Sequence, residues 1–167
     1  MILDTSATPA PASSSPPERN NDKVADSYSN NNNDHHNGQR RYKILIVDDE
    51  RDIGIIIQKA LQLEGIYETD VYTNPKRALD NFKAAIYDLA LIDFRMPDID
   101  GMELYSQLKK IDDRLKVCYI TAFDIDDDII VKSKEKYPES RDACLILKPV
   151  SIDELISTIR RKLEDTK

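Results

Sequence analysis

At 167 residues, with 24 lysines and arginines against 31 aspartates and glutamates and a net charge of −7, the chain has the size of one domain with a full core. The acidic balance argues against direct binding of nucleic acid, which depends on neutralising phosphates. No apolar run reaches the length of a membrane span and no apolar secretory core follows Met1, so a soluble, cytoplasmic protein is expected.

Residues 1–40 differ from the rest. They hold Pro9, Pro11, Pro16 and Pro17, a serine run at 13–15 and an asparagine tract at 30–33, with few large apolar side chains. Such a segment cannot bury enough apolar surface to offset its ordering entropy, so it reads as a disordered tail, with the folded domain at 41–167. Its three cations face five acids, which leaves five of the seven net negative charges on the domain. His35 and His36, in this polar setting, read as solvated.

From Lys43 onward, strand-like and helix-like patterns alternate. Residues 44–47 form a continuous apolar run rich in β-branched residues, as in a strand buried on both faces. Ile53, Ile56, Ile57, Ala60 and Leu61 then share a helical face, with Gly65 placed to end the helix. The second strand, 67–72, carries Glu68 and Asp70 and suits an edge position. Asn74 and Pro75 cap a helix striped by Ala78, Leu79, Phe82 and Ile86. After a third strand at 89–92, Asp98 and Asp100 read as turn residues before Gly101 and a helix bearing Leu104, Tyr105, Leu108 and Ile111. A fourth strand at 117–120 precedes the acids 126–128, which favour a helix start. The fifth strand, 145–147, leads to Ser151 and Glu154 at capping-box spacing and a helix with Ile152, Leu155, Ile156, Ile159 and Leu163. Cys118 and Cys144 fall in buried strands and read as separate apolar thiols.

This alternation implies an α/β fold: a doubly wound, five-stranded parallel sheet of flavodoxin-like order 2-1-3-4-5 with five helices. Asp48, Asp49, Asp93, Thr121 and Lys148 each follow a strand, so they gather along one sheet edge at the topological switch point. Three carboxylates together repel unless a cation joins them, and hard oxygen donors suit magnesium. A carboxylate beside a divalent cation is a competent nucleophile toward a phosphoryl group.

The runs Ile44-Leu45-Ile46-Val47-Asp48-Asp49-Glu50 and Asp93-Phe94-Arg95-Met96-Pro97-Asp98-Ile99-Asp100-Gly101, with Thr121-Ala122 and Lys148-Pro149, resemble the signature of receiver domains in two-component response regulators. The resemblance covers residues 42–165. It implies that Asp93 accepts phosphate, that Asp48, Asp49, Asp93 and the backbone carbonyl of Arg95 hold Mg2+, and that Thr121 and Lys148 contact the phosphoryl group. It also implies a cis peptide at Lys148-Pro149. Its implied partners are a sensor histidine kinase or phosphotransfer protein and a downstream protein effector. With the chain closing on its fifth helix, the signal is expected to leave by binding another protein or by handing the phosphate on.

Three departures stand out. Leu145 occupies the place of the family's usual aromatic switch residue, a role that Tyr119 or Phe123 would have to fill, and Arg95 and Phe123 border the phosphoryl position. The stretch from Thr121 to Lys148 is also longer than usual, with the extra length around 134–142. The alternatives are a constitutive interaction module of the same fold and a magnesium-dependent aspartyl phosphatase. The latter typically needs a second Asp two residues after the nucleophile, where this chain has Arg95.

Overall fold

Continuous apolar runs such as Ile44, Leu45, Ile46 and Val47 need cover on both faces. The computed structural model, which describes residues 23–24, 40–122, 131–132 and 135–165, provides that cover with helices on either side of one sheet. In chain order the elements are β1 (Lys23–Val24), β2 (Tyr42–Val47), α1 (Arg51–Leu63), β3 (Tyr67–Tyr72), α2 (Pro75–Asn81), β4 (Leu89–Asp93), α3 (Gly101–Ile111), β5 (Lys116–Ala122), a 3-10 turn (Pro138–Ser140), β6 (Cys144–Lys148) and α4 (Ile152–Glu164). Residues 131–132 and 135–136 are also helical, between β5 and the 3-10 turn, while the acids 126–128 and Phe123 lie outside the described residues. Four helices are thus complete among the described residues, against the five expected.

The sheet runs β1-β3-β2-β4-β5-β6. Its five long strands are parallel and take the expected order, with β2 and β4 neighbours at the switch point. A two-residue strand adds to them at one edge: Lys23 and Val24 (β1) pair antiparallel with Tyr72 and Val71. An edge strand leaves a row of unpaired backbone groups, which an extended segment can satisfy. Ahead of β2, Arg40 pairs with Asp88 at 2.7 Å.

Two cores follow from the strand alternation. Leu45, Val47, Ala90, Ile92, Val117 and Tyr119 face α2 and α3, while Ile44, Ile46, Leu91, Cys118, Ile120 and Ile146 face α1 and α4. Each fully buried leucine or isoleucine contributes roughly 1.5–3 kcal/mol. The helical stripes are narrower than expected. Ile56, Ile111 and Ile152 are exposed, since a helix resting on a sheet covers only part of its apolar arc. Ile86 is exposed for a different reason: α2 stops at Asn81, where Phe82 turns extended (ψ 139°), so Ile86 belongs to the following loop. β5 and β6 set Cys118 directly opposite Cys144, with Cα atoms 4.5 Å apart.

The helix starts match the expected caps. Asn74 accepts the Arg77 N–H at 3.0 Å and Ser151 accepts the Glu154 N–H at 3.2 Å. Asp100 does more than form a turn, since its carboxylate accepts the Glu103 N–H at 2.7 Å and caps α3. Gly65 adopts φ 73° after α1, as a helix-ending glycine should. Gly101 is required by space: a Cβ there would lie 2.3 Å from the Asp93 carbonyl oxygen. Gly101→Ala is therefore expected to destabilise the fold by about 3 kcal/mol, since backbone cannot yield as a side chain does. Urea unfolding checks this, and an unchanged midpoint would remove the steric argument.

Candidate functional site

The parallel sheet brings the strand ends together as expected. Asp48 and Asp49 follow β2, Asp93 ends β4, Thr121 lies near the end of β5 and Lys148 ends β6. Asp48 is almost fully buried, yet both its oxygens are engaged. Oδ1 accepts the Glu50 N–H at 2.9 Å, and Oδ2 accepts from Lys148 Nζ at 3.1 Å, a contact between residues 100 apart in sequence. Lys148 also lies 3.6 Å from Asp93 Oδ1 and 3.8 Å from Glu50 Oε1. Carboxylate oxygens of Asp48, Asp49 and Asp93 all lie within 4.8 Å of one another, with Asp49 the exposed member.

Electrostatics follow from this crowding. Burial and then the neighbouring charge of Asp48 push the Asp93 carboxyl up to about 6, with Asp49 adding to the effect and Lys148 opposing it. Asp48 is also raised, mainly by burial, against the pull of Lys148 and the Glu50 N–H. Burial lowers Lys148, but Asp48, Asp93 and Glu50 together more than offset this, so its ammonium is held above the usual range.

Thr121 is 1% exposed, and its hydroxyl has no hydrogen-bond partner. A buried hydroxyl left unpaired costs free energy, which a group arriving during function would recover by accepting its hydrogen bond. Arg95 and Leu145 are both exposed. Glu50, to which the sequence pattern assigned no role, takes part through its N–H on Asp48 and its carboxylate near Lys148. Its place directly after the Asp48–Asp49 pair was the available signal. The Lys148-Pro149 peptide is cis, as the resemblance implied.

A family model described as the response regulator receiver domain matches residues 44–160. The chain belongs to this family. Among similar receiver proteins, sporulation initiation phosphotransferase F of Bacillus subtilis (strain 168) is 36% identical over 121 residues, covering 72% of this chain and 93% of the relative. The response regulator receiver protein CpdR of Brucella abortus (strain 2308) is 30% identical, covering 72% and 96%. The solved CheY-like receiver domain from Methanospirillum hungatei JF-1 superposes with a TM-score of 0.65 at 28% identity, covering 75% of this chain and 95% of that one. The receiver domain is the phosphorylation-dependent switch of two-component response regulators, and the five parallel strands here have its order. No helix among the described residues is long and apolar enough to cross a membrane.

Proposed function

We propose that Asp93 is the phosphoryl acceptor of this receiver domain, taking its phosphate from a sensor histidine kinase or phosphotransfer protein in the cytoplasm and signalling to a downstream protein. The observation that carries this is the set of side chains gathered at the strand ends. A carboxylate raised to about 6 sits beside two further carboxylates, one ammonium and one partnerless hydroxyl.

The donor set fits a hard divalent cation. Three carboxylates whose oxygens lie within 4.8 Å repel one another, and Lys148 supplies only one compensating charge. Asp48, Asp49, Asp93 and the backbone carbonyl of Arg95 would hold Mg2+, with Asp48 acting mostly through water. When bound, the ion supplies charge neutralisation for the equatorial phosphoryl oxygens. The side chains do the rest. An ionised Asp93 oxygen attacks phosphorus while the donor's leaving group departs in line. Lys148, 3.6 Å from that carboxylate, neutralises the incoming oxygens, and Thr121 gives its hydroxyl hydrogen bond to the product.

Intact mass spectrometry after incubation with Mg2+ and acetyl phosphate tests this. One added phosphoryl group is expected on the wild type and none on Asp93→Asn. An adduct that persists in Asp93→Asn would displace the acceptor. No adduct at all, despite bound metal, would leave the constitutive interaction module, a reading that the exposed Leu145 in place of an aromatic favours.

A further inference from the structure

The stretch between Thr121 and Lys148 holds residues that reach back into the core. Pro138–Ser140 form the 3-10 turn, held by the Ser140 N–H on Tyr137 O at 3.0 Å and the Ala143 N–H on Ser140 O at 3.0 Å. Ser140 itself is 0% exposed, unusual for a serine in a surface connection. Its hydroxyl lies 2.8 Å from that of Tyr119, which is also buried. Tyr137 and Ala143, on either side of the turn, pack against the same core.

Tyr119 joins this turn to the strand end that carries Thr121. The two residues are two apart on β5 and so point to the same face. The Tyr119 ring meets Phe94, the residue after Asp93, edge-on at 5.9 Å, and Tyr105 edge-on at 6.3 Å. Between Tyr119 and Thr121, the Ile120 carbonyl accepts the Phe94 N–H at 2.8 Å. Tyr119 thus meets the residue after Asp93 through its ring and shares β5 with Thr121.

We propose that the Tyr119–Ser140 hydrogen bond is a latch that fixes the surface segment 137–143 to β5 and opens when Asp93 is phosphorylated. The latch rests on the reading of Asp93 as phosphoryl acceptor. Thr121, now without a partner, gains one in the phosphoryl group on β4 and draws the end of β5 toward that strand. Tyr119 moves with it against Phe94, away from Ser140. Freed of its buried anchor, the 3-10 turn changes the surface that Tyr137 and its neighbours present. This relay runs through Tyr119 and leaves Leu145 out.

Amide hydrogen exchange of the full chain, with Mg2+ and with or without acetyl phosphate, tests it, and intact mass on the same samples reports phosphorylation. In wild type, exchange over 138–143 is expected to rise about fivefold on phosphorylation, the factor one ordinary hydrogen bond carries. In Tyr119→Phe it is expected to be fast in both states while the adduct forms as before. Because that variant strands a buried hydroxyl, Tyr119→Phe/Ser140→Ala, which removes both partners, is the second variant. Phosphorylated wild type with unchanged exchange over 138–143 overturns the latch. So does a phosphorylation-dependent change that persists in the double variant. Absence of the adduct in wild type overturns the acceptor assignment itself, and the latch with it.

Discussion

Lys148→Met is expected to slow phosphorylation of Asp93 by acetyl phosphate about 10²–10³-fold, the usual cost of removing one group that neutralises developing charge. The same substitution removes the ammonium that, among the described residues, pairs with Asp48, Asp93 and Glu50. Deleting one partner of a buried pair costs about 3–5 kcal/mol. Here the Lys148 side chain keeps 21% of its exposure and the acids can protonate, so a loss of about 2 kcal/mol is expected at neutral pH. These two losses separate with metal. Saturating Mg2+ is expected to supply positive charge to the carboxylates and restore most of the stability, whereas the phosphorylation rate is expected to stay low because the Lys148 hydrogen-bond donor is gone. Thermal unfolding and timed mass spectrometry on the same variant read both. Full recovery of rate with Mg2+ would reduce Lys148 to a counter-ion.

Asp93→Asn is expected to stabilise the metal-free protein, and to do so in a pH-dependent way. The folded carboxyl titrates at about 6, above its unfolded value of 3.8, so the folded state holds the proton more tightly. Stability linked to this group is therefore fully present below about pH 4 and is lost as pH rises through 6. The shift of about two units corresponds to about 3 kcal/mol, all of it lost above pH 7. Asparagine carries no such loss, so the variant should exceed wild type by a few kcal/mol at pH 7.5 and by much less at pH 4.5. Magnesium should close the gap at pH 7.5 by stabilising the wild type. Urea melts across pH without metal make the comparison. A gap that does not vary with pH would mean that Asp93 is not the strained acid of the site.

Much of the architecture was readable from local pattern. The apolar run at 44–47, rich in β-branched residues, announced a strand buried on both faces, and the long strands took the order the edge character of 67–72 suggested. Asn74, Ser151 and Gly65 marked helix ends by chemistry confined to a few residues. The gathering of Asp48, Asp49, Asp93, Thr121 and Lys148 was legible because strand ends in a parallel sheet share one edge, so residues that follow strands must converge. Ile56, Ile86, Ile111 and Ile152 were not legible as surface residues, since their spacing fits a helical stripe and only the neighbouring element sets how wide a stripe is covered.

The strands, the helix caps and the five residues that meet at the edge were thus dictated within the chain, because they depend on local period and on the direction of a parallel sheet. Their surroundings came from assembly of the fold. It put Lys148 against Asp48 across 100 residues, buried Asp93 until its carboxyl rose to about 6, and left Thr121 without a partner. It set Cys118 opposite Cys144, drew Ser140 into the core onto Tyr119, and paired Lys23 and Val24 with β3. Each of these is a contact between distant segments. Its energy depends on register, burial and the distance between charges, none of which exists until the sheet assembles.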